Sequence, residues 1–112
     1  GEGHGDKPRA GQEVAVNYTG KFLDGRVFDT SVDSVAREAG IYNETRDYSP
    51  LIFTLGVSGV IDGWTIGISL LNEGASATLI IPSHLAYGYK GYGSIPPNTV
   101  LLFEVELVDV KF

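Results

Sequence analysis

The side chains with chemistry to offer in this chain are rings and carboxylates. Cysteine is absent, and the two histidines, His4 and His84, lie far apart. Thiolate catalysis, disulfides and cysteine metal sites are therefore excluded, and two isolated imidazoles do not read as a metal pair. Glu104 and Glu106 are spaced i, i+2 near the C-terminus; on an edge-exposed strand face that spacing is ordinary solvation, not the paired carboxylates of a glycosidase. What remains is an aromatic set of one tryptophan, six tyrosines and five phenylalanines. No nucleophile, metal or cofactor is expected, so any chemistry must come from apolar walls and a few aimed polar groups.

The elements that would position these rings follow from periodicity. Gln12 to Thr19 alternates, with Val14, Val16 and Tyr18 on one face and Glu13, Ala15 and Asn17 on the other, which predicts a half-buried strand. Asp24-Gly25 supplies a hairpin turn, and Arg26 to Asp29 returns as a short strand that carries Phe28 and Asp29 towards Tyr18. Ser31 to Ser49 is polar and lacks alternation; it reads as a long surface excursion with a helical turn or two around Val32 to Ala39, closed by Gly40. Leu51 to Leu55 predicts another strand. Val60, Ile61, Trp64, Ile68 and Leu71 recur at helical spacing before Asn72-Glu73-Gly74, implying one short amphipathic helix despite Gly63 and Gly67. Ala75 to Ile81 alternates and stops at Pro82. Ser83 to Asn98 is a loop rich in Tyr, Gly and Pro, long enough to suggest function, and Val100 to Val110 is a final long strand. Strands around a single helix make this an α+β chain, with an antiparallel sheet wrapped on that helix.

Composition bounds the rest. At 112 residues the chain holds one domain with one modest core, and its opening, with no methionine anywhere, reads as excised from something longer. A net charge of −6 with eight scattered cations argues against nucleic acid. No apolar run reaches the ~20 residues a membrane-spanning helix needs. A cysteine-free chain suits cytoplasm and periplasm alike, so the compartment stays open.

Five segments in register carry a resemblance: Val16-Asn17-Tyr18-Thr19-Gly20, Val27-Phe28-Asp29-Thr30-Ser31, Val60-Ile61-Asp62-Gly63-Trp64, Leu85-Ala86-Tyr87-Gly88 and Ile95-Pro96-Pro97-Asn98. Together with the strand Leu101 to Leu107, they resemble the FK506-binding (FKBP) type peptidyl-prolyl cis/trans isomerases over nearly everything from Pro8 onward. The resemblance implies a twisted antiparallel sheet curled round the short helix, with an apolar pocket between them. It implies Trp64 as the pocket floor, with Tyr18, Phe28, Asp29 and Tyr87 in catalytic positions and Leu51, Phe53, Val60, Ile61, Ile95 and Phe103 holding substrate. The Tyr87 hydroxyl and the Ile61 backbone N–H would hold substrate carbonyls. Implied partners are proline-containing polypeptides and macrolides of the FK506 and rapamycin type, met by a monomer.

Three departures qualify the match: Asn17 stands where many relatives carry His, Leu51 where an aromatic is common, and Ser34 to Tyr48 is longer than in the smallest relatives. Only Gly1 to Lys7 stand ahead of Pro8, where relatives place a first strand. Blander readings also stand beside the sharp ones. Trp64 by spacing alone is core packing, Asp29 alone is a turn former or cap, Tyr89 and Tyr92 brace their loop, and Pro96-Pro97 stiffens a connection as readily as it frames a pocket. The rival function is a non-catalytic binding or chaperone module on the same fold.

Overall fold

The computed structural model describes residues 3, 5–57 and 59–111. His4 lies outside the described residues. Seven regular elements follow one another: β1 (Glu13–Lys21), β2 (Val27–Thr30), α1 (Asp33–Glu38), β3 (Leu51–Thr54), α2 (Asp62–Ser69), β4 (Ser76–Ile81) and β5 (Leu101–Lys111), with a 3₁₀ turn at Ser83–Leu85 before β5. All strand pairings are antiparallel, and the sheet is open, running β2-β1-β5-β4 with β3 also paired to β1.

β1 organises the sheet. One of its edges pairs with β5 from Glu13 to Lys21. The other is shared, β3 taking Glu13 to Val16 and β2 taking Thr19 to Lys21. Between these two partners the ladder is interrupted at Asn17 and Tyr18, and the turn after β2 satisfies the exposed backbone there. The Tyr18 N–H donates to the Ser31 hydroxyl at 2.9 Å, and the Tyr18 carbonyl accepts from the Ser31 N–H and the Thr30 hydroxyl, each at 2.9 Å. Ser31 and Thr30 are buried polar residues for this reason, since a buried backbone group left unpaired is costly. The interruption also places the Tyr18 ring where two strands part.

β5 is the other central strand, and its alternation is complete: Leu101, Phe103, Val105 and Leu107 are buried while Glu104, Glu106 and Val108 are exposed. The two glutamates are thus solvated as expected, but on the outer face of an interior strand, not on an edge. Glu104 pairs there with Lys21. The inner face of the sheet meets α2, which buries Trp64 and Ile68. An eight-residue helix with two glycines has little intrinsic stability, and packing explains both of them. A Cβ on Gly63 would come within 2.5 Å of Ile81 Cγ2, and one on Gly67 within 2.7 Å of Leu79 Cδ1, so the glycines let the helix lie against β4.

Beside the one helix expected from the sequence, the helical turn or two expected around Val32 to Ala39 forms a second short helix, α1. The polar excursion folds its first part into this short helix, whose Ala36 is fully buried; Gly40, at φ 74°, ends it. The segment from 41 to 50 is irregular. The loop expected from Ser83 to Asn98 contains a 3₁₀ turn and is internally bonded: Gly88 N–H donates to the Ser83 carbonyl, Asn98 N–H to the Gly88 carbonyl, and Tyr92 and Ile95 bridge one another. Among the described residues no helix is long and apolar enough to cross a membrane.

Gly63→Ala tests the helix–sheet contact. Alanine is the better helix former, yet the crowding against buried Ile81 should outweigh that gain and lower stability by about 1–2 kcal/mol in urea unfolding. A stabilised variant would contradict the close packing of α2 on β4.

Candidate active site

Four aromatic rings converge where α2 faces β1 and β5. Trp64, on the first turn of α2, is only 4% exposed. Tyr18 stands edge-on to it with centroids 5.0 Å apart at 72°, and Phe103 at 5.4 Å and 88°. Phe28 in turn stands at 83° to Phe103. The indole thus lies as a floor between rings nearly perpendicular to it, an arrangement that edge-to-face attraction favours by about 0.5–1.5 kcal/mol per pair. The indole N–H is buried with no hydrogen-bond partner among the described residues, a cost that this packing must outweigh.

Above the floor is a cavity of about 200 Å³ lined by Tyr18, Phe28, Asp29, Leu51, Gly59, Val60, Ile61, Trp64, Tyr87 and Phe103. At ~30 Å³ per water it has room for roughly six waters, ample for a five-membered ring. Larger hollows exist; one of about 520 Å³ crosses the outer sheet face past Asn17, Thr78, Glu104 and Glu106. That surface is open and mostly polar, whereas the smaller cavity is where the rings meet.

Nine of the eleven residues singled out from the sequence line this cavity: Tyr18, Phe28, Asp29, Leu51, Val60, Ile61, Trp64, Tyr87 and Phe103. The other two sit behind it. Phe53 packs against Trp64 at 5.9 Å and supports the floor from β3. Ile95, 6% exposed, belongs to the core cluster. Leu51 is 39% exposed, so the wall it makes is thin and borders solvent. Ile61 immediately precedes α2, and its backbone N–H is not used by the helix.

The polar rim contains a residue the sequence reading missed. Tyr18 Oη donates to Asp29 Oδ2 at 2.7 Å; Arg46 Nη1 donates to Asp29 Oδ1 at 2.9 Å, and Arg46 Nη2 to Tyr18 Oη at 3.2 Å. Asp29 Oδ1 also accepts the Thr30 N–H at 2.8 Å. The guanidinium closes a three-residue ring of charge-assisted hydrogen bonds. Burial, then the bond to Asp29, pushes the Tyr18 hydroxyl up to about 12, with Arg46 pulling the other way. Burial likewise raises the Tyr87 hydroxyl, with smaller contributions from the Asp29 charge and from Tyr92, whose ring stacks on Tyr87 at 5.2 Å. Both phenols therefore stay protonated donors across the physiological range. Arg46 lies 17 residues beyond Asp29 and 28 beyond Tyr18 in an aperiodic stretch, so no spacing signal pointed to it.

The sequence profile described as FKBP-type peptidyl-prolyl cis-trans isomerase matches residues 5–108. The FKBP-type peptidyl-prolyl cis-trans isomerase FkpA of Escherichia coli K12 is 43% identical over 109 residues, covering 97% of this chain and 35% of that protein. An FK506-binding protein of Neisseria meningitidis serogroup A is 41% identical over 110 residues, covering 97% of this chain and 89% of its own length. The crystal structure of Escherichia coli FkpA superposes with a TM-score of 0.77 at 41% identity, over 98% of this chain and 45% of that one. A peptidyl-prolyl cis-trans isomerase structure from Pseudomonas syringae pv. tomato also gives 0.77, at 37% identity over 99% of this chain and 71% of that one. The chain spans about a third of the length of the FkpA relatives. With the profile matched over nearly all of its length and the fold shared, this chain belongs to the FKBP-type peptidyl-prolyl cis-trans isomerase family.

Proposed function

We propose that this chain is a working peptidyl-prolyl cis/trans isomerase unit, acting on X-Pro bonds of polypeptide substrates. The observation that carries the reading is the indole-floored cavity, sized for a pyrrolidine ring and walled by upright aromatic rings. An X-Pro bond turns slowly because amide resonance imposes a barrier of about 18–20 kcal/mol, and no bond need break to lower it. At the twisted transition state resonance is lost and the carbonyl oxygen carries less charge than in the planar amide. A water-poor aromatic pocket therefore favours the twisted form over the planar one. An acceleration of ~10⁵ would need about 7 kcal/mol of such differential binding.

In this reading Trp64 receives the proline ring, Phe28, Phe103 and Leu51 exclude water around it, and Phe53 holds the floor in place. The Tyr87 hydroxyl and the Ile61 N–H orient substrate carbonyls. Tyr18 and Asp29, tied by Arg46, present the polar edge against which the carbonyl rotates. Ile95 acts through the core, not by contact. Action as a monomer, with all 112 residues as one unit, is part of this reading. Macrolides of the FK506 and rapamycin type are expected in the same cavity, since their pipecolinyl ring mimics proline.

A protease-coupled assay with a proline-containing peptide tests the reading. Wild type should accelerate isomerisation, Trp64→Leu should lower kcat/KM by about tenfold or more, and Tyr18→Phe by about three- to tenfold, each with the fold retained. No acceleration by folded wild type would instead favour the binding-module alternative, for which losses should follow changes in the 34–48 segment.

The Tyr18 hydroxyl also makes a pH prediction. Its folded-state value of about 12 exceeds the ordinary 10, so its stabilising contribution is complete below pH 10 and is lost as pH rises through 12. The stability difference between wild type and Tyr18→Phe in urea unfolding should be constant up to about pH 9 and shrink between 10 and 12. A difference that stays flat to pH 12 would show the phenol is not held this way.

A further inference from the structure

Arg46 arrives at the site from an irregular segment, and such a segment gives a long side chain little reason to keep one rotamer. Here the segment is built to hold it. The guanidinium of Arg46 lies over the Tyr48 ring, 4.9 Å from its centroid; Tyr48 stacks on Tyr42 at 5.3 Å and 17°; the guanidinium of Arg37 caps the far side of Tyr42 at 3.7 Å. Arg37 is itself fixed by Asp33 one helical turn earlier, Nε to Oδ1 at 2.6 Å. The result is a four-layer column, cation–ring–ring–cation, running from the exposed face of α1 to the rim of the aromatic cavity.

The backbone is fastened as well as the side chains. The Arg46 N–H donates to the Asn43 carbonyl at 3.1 Å, and the Asn43 side-chain oxygen accepts from the Thr45 N–H at 3.0 Å and the Thr45 hydroxyl at 2.7 Å. The Asn43 N–H donates to the Tyr48 hydroxyl at 3.0 Å, linking the turn to the column. These bonds leave the Arg46 fork aimed at the two groups it touches, Asp29 Oδ1 and Tyr18 Oη.

We propose that Tyr48 and Tyr42, capped by Arg37, are positioning residues for the isomerase site: they hold Arg46 in the orientation that locks Tyr18 and Asp29 at the cavity rim. None of the three lines the cavity. Their effect on turnover passes through Arg46 alone, which sets them apart from residues that merely brace a surface loop. The role is a local one of this chain's 37–48 segment, and it rests on the isomerase reading above.

A double-mutant cycle between Tyr48 and Arg46 decides it. Tyr48→Ala should lower kcat/KM by about threefold to fivefold, the scale of a lost cation–π contact that fixes one side chain. Tyr48→Phe, which keeps the ring but loses the acceptor for the Asn43 N–H, should lose about twofold or less. In an Arg46→Ala background, Tyr48→Ala should cost nothing further. Equal losses in both backgrounds, or a Tyr48→Phe loss as large as that of Tyr48→Ala, would overturn the proposal. The Nη–H resonances of Arg46, the groups that bond Asp29 and Tyr18, give a readout that does not depend on turnover: they should be resolved and slowly exchanging in wild type, retained in Tyr48→Phe, and broadened in Tyr48→Ala and Tyr42→Ala. A wild type without turnover but with this pattern would sink the isomerase reading and spare the column; turnover with an Arg46 signal indifferent to Tyr48 would do the reverse.

Discussion

Everything at this site depends on holding one large indole flat and nearly buried while leaving space above it. Packing alone tends to close such a space, since core side chains interdigitate at close to crystal density. The chain resists that by standing Tyr18 and Phe103 almost perpendicular to the floor. Those walls come from β1 and β5, the two longest and most fully paired strands, and they are as rigid as the sheet itself. The floor comes from a helix too short and too glycine-rich to persist alone, seated by the contact of Gly63 and Gly67 with Ile81 and Leu79.

The polar groups are segregated to one side. Tyr18 contributes its ring face to the wall and its hydroxyl to the rim, and the interruption of the ladder at Asn17 and Tyr18 makes that double use possible. Keeping the carboxylate paired at the rim leaves the cavity interior apolar, the condition under which a less polar, twisted amide gains over a planar one. Rigid walls from the sheet, a fastened arginine and a loop knit by its own backbone bonds make a preorganised site in which little need move when a substrate arrives.

The sheet and its helix were legible because alternation and helical spacing report directly on which side chains face the core. Val14 to Tyr18, Ala75 to Ile81 and the stripe through Trp64 and Ile68 are where the structure puts strands and helix. Gly63 and Gly67 argued locally against a helix; their reason lies in a strand that follows later in the chain. Seven of the nine pocket residues were legible through the register of four short segments; Phe103 lies on the strand that follows them, and Leu51 lies in none of them. Ile95 was not separable from a pocket residue in one dimension, because only the fold of its loop decides whether it faces the cavity or the core. Arg46 was invisible for a related reason: its partners lie in β1 and β2, and the stretch that delivers it has no periodicity to read. In the same stretch the turns around Val32 to Ala39 were legible and are α1, whereas the stacked tyrosines beyond Gly40 were not.

The account stands or falls on where the proline ring goes and whether its bond turns there. Two-dimensional exchange and nuclear Overhauser spectra of a proline-containing peptide with a small amount of this protein address both at once. The account predicts cis–trans exchange cross-peaks that appear only with the protein present, together with contacts between the pyrrolidine protons and the Trp64 indole. Exchange without any contact to the indole, or contact to the indole with no faster exchange than in water, would contradict it.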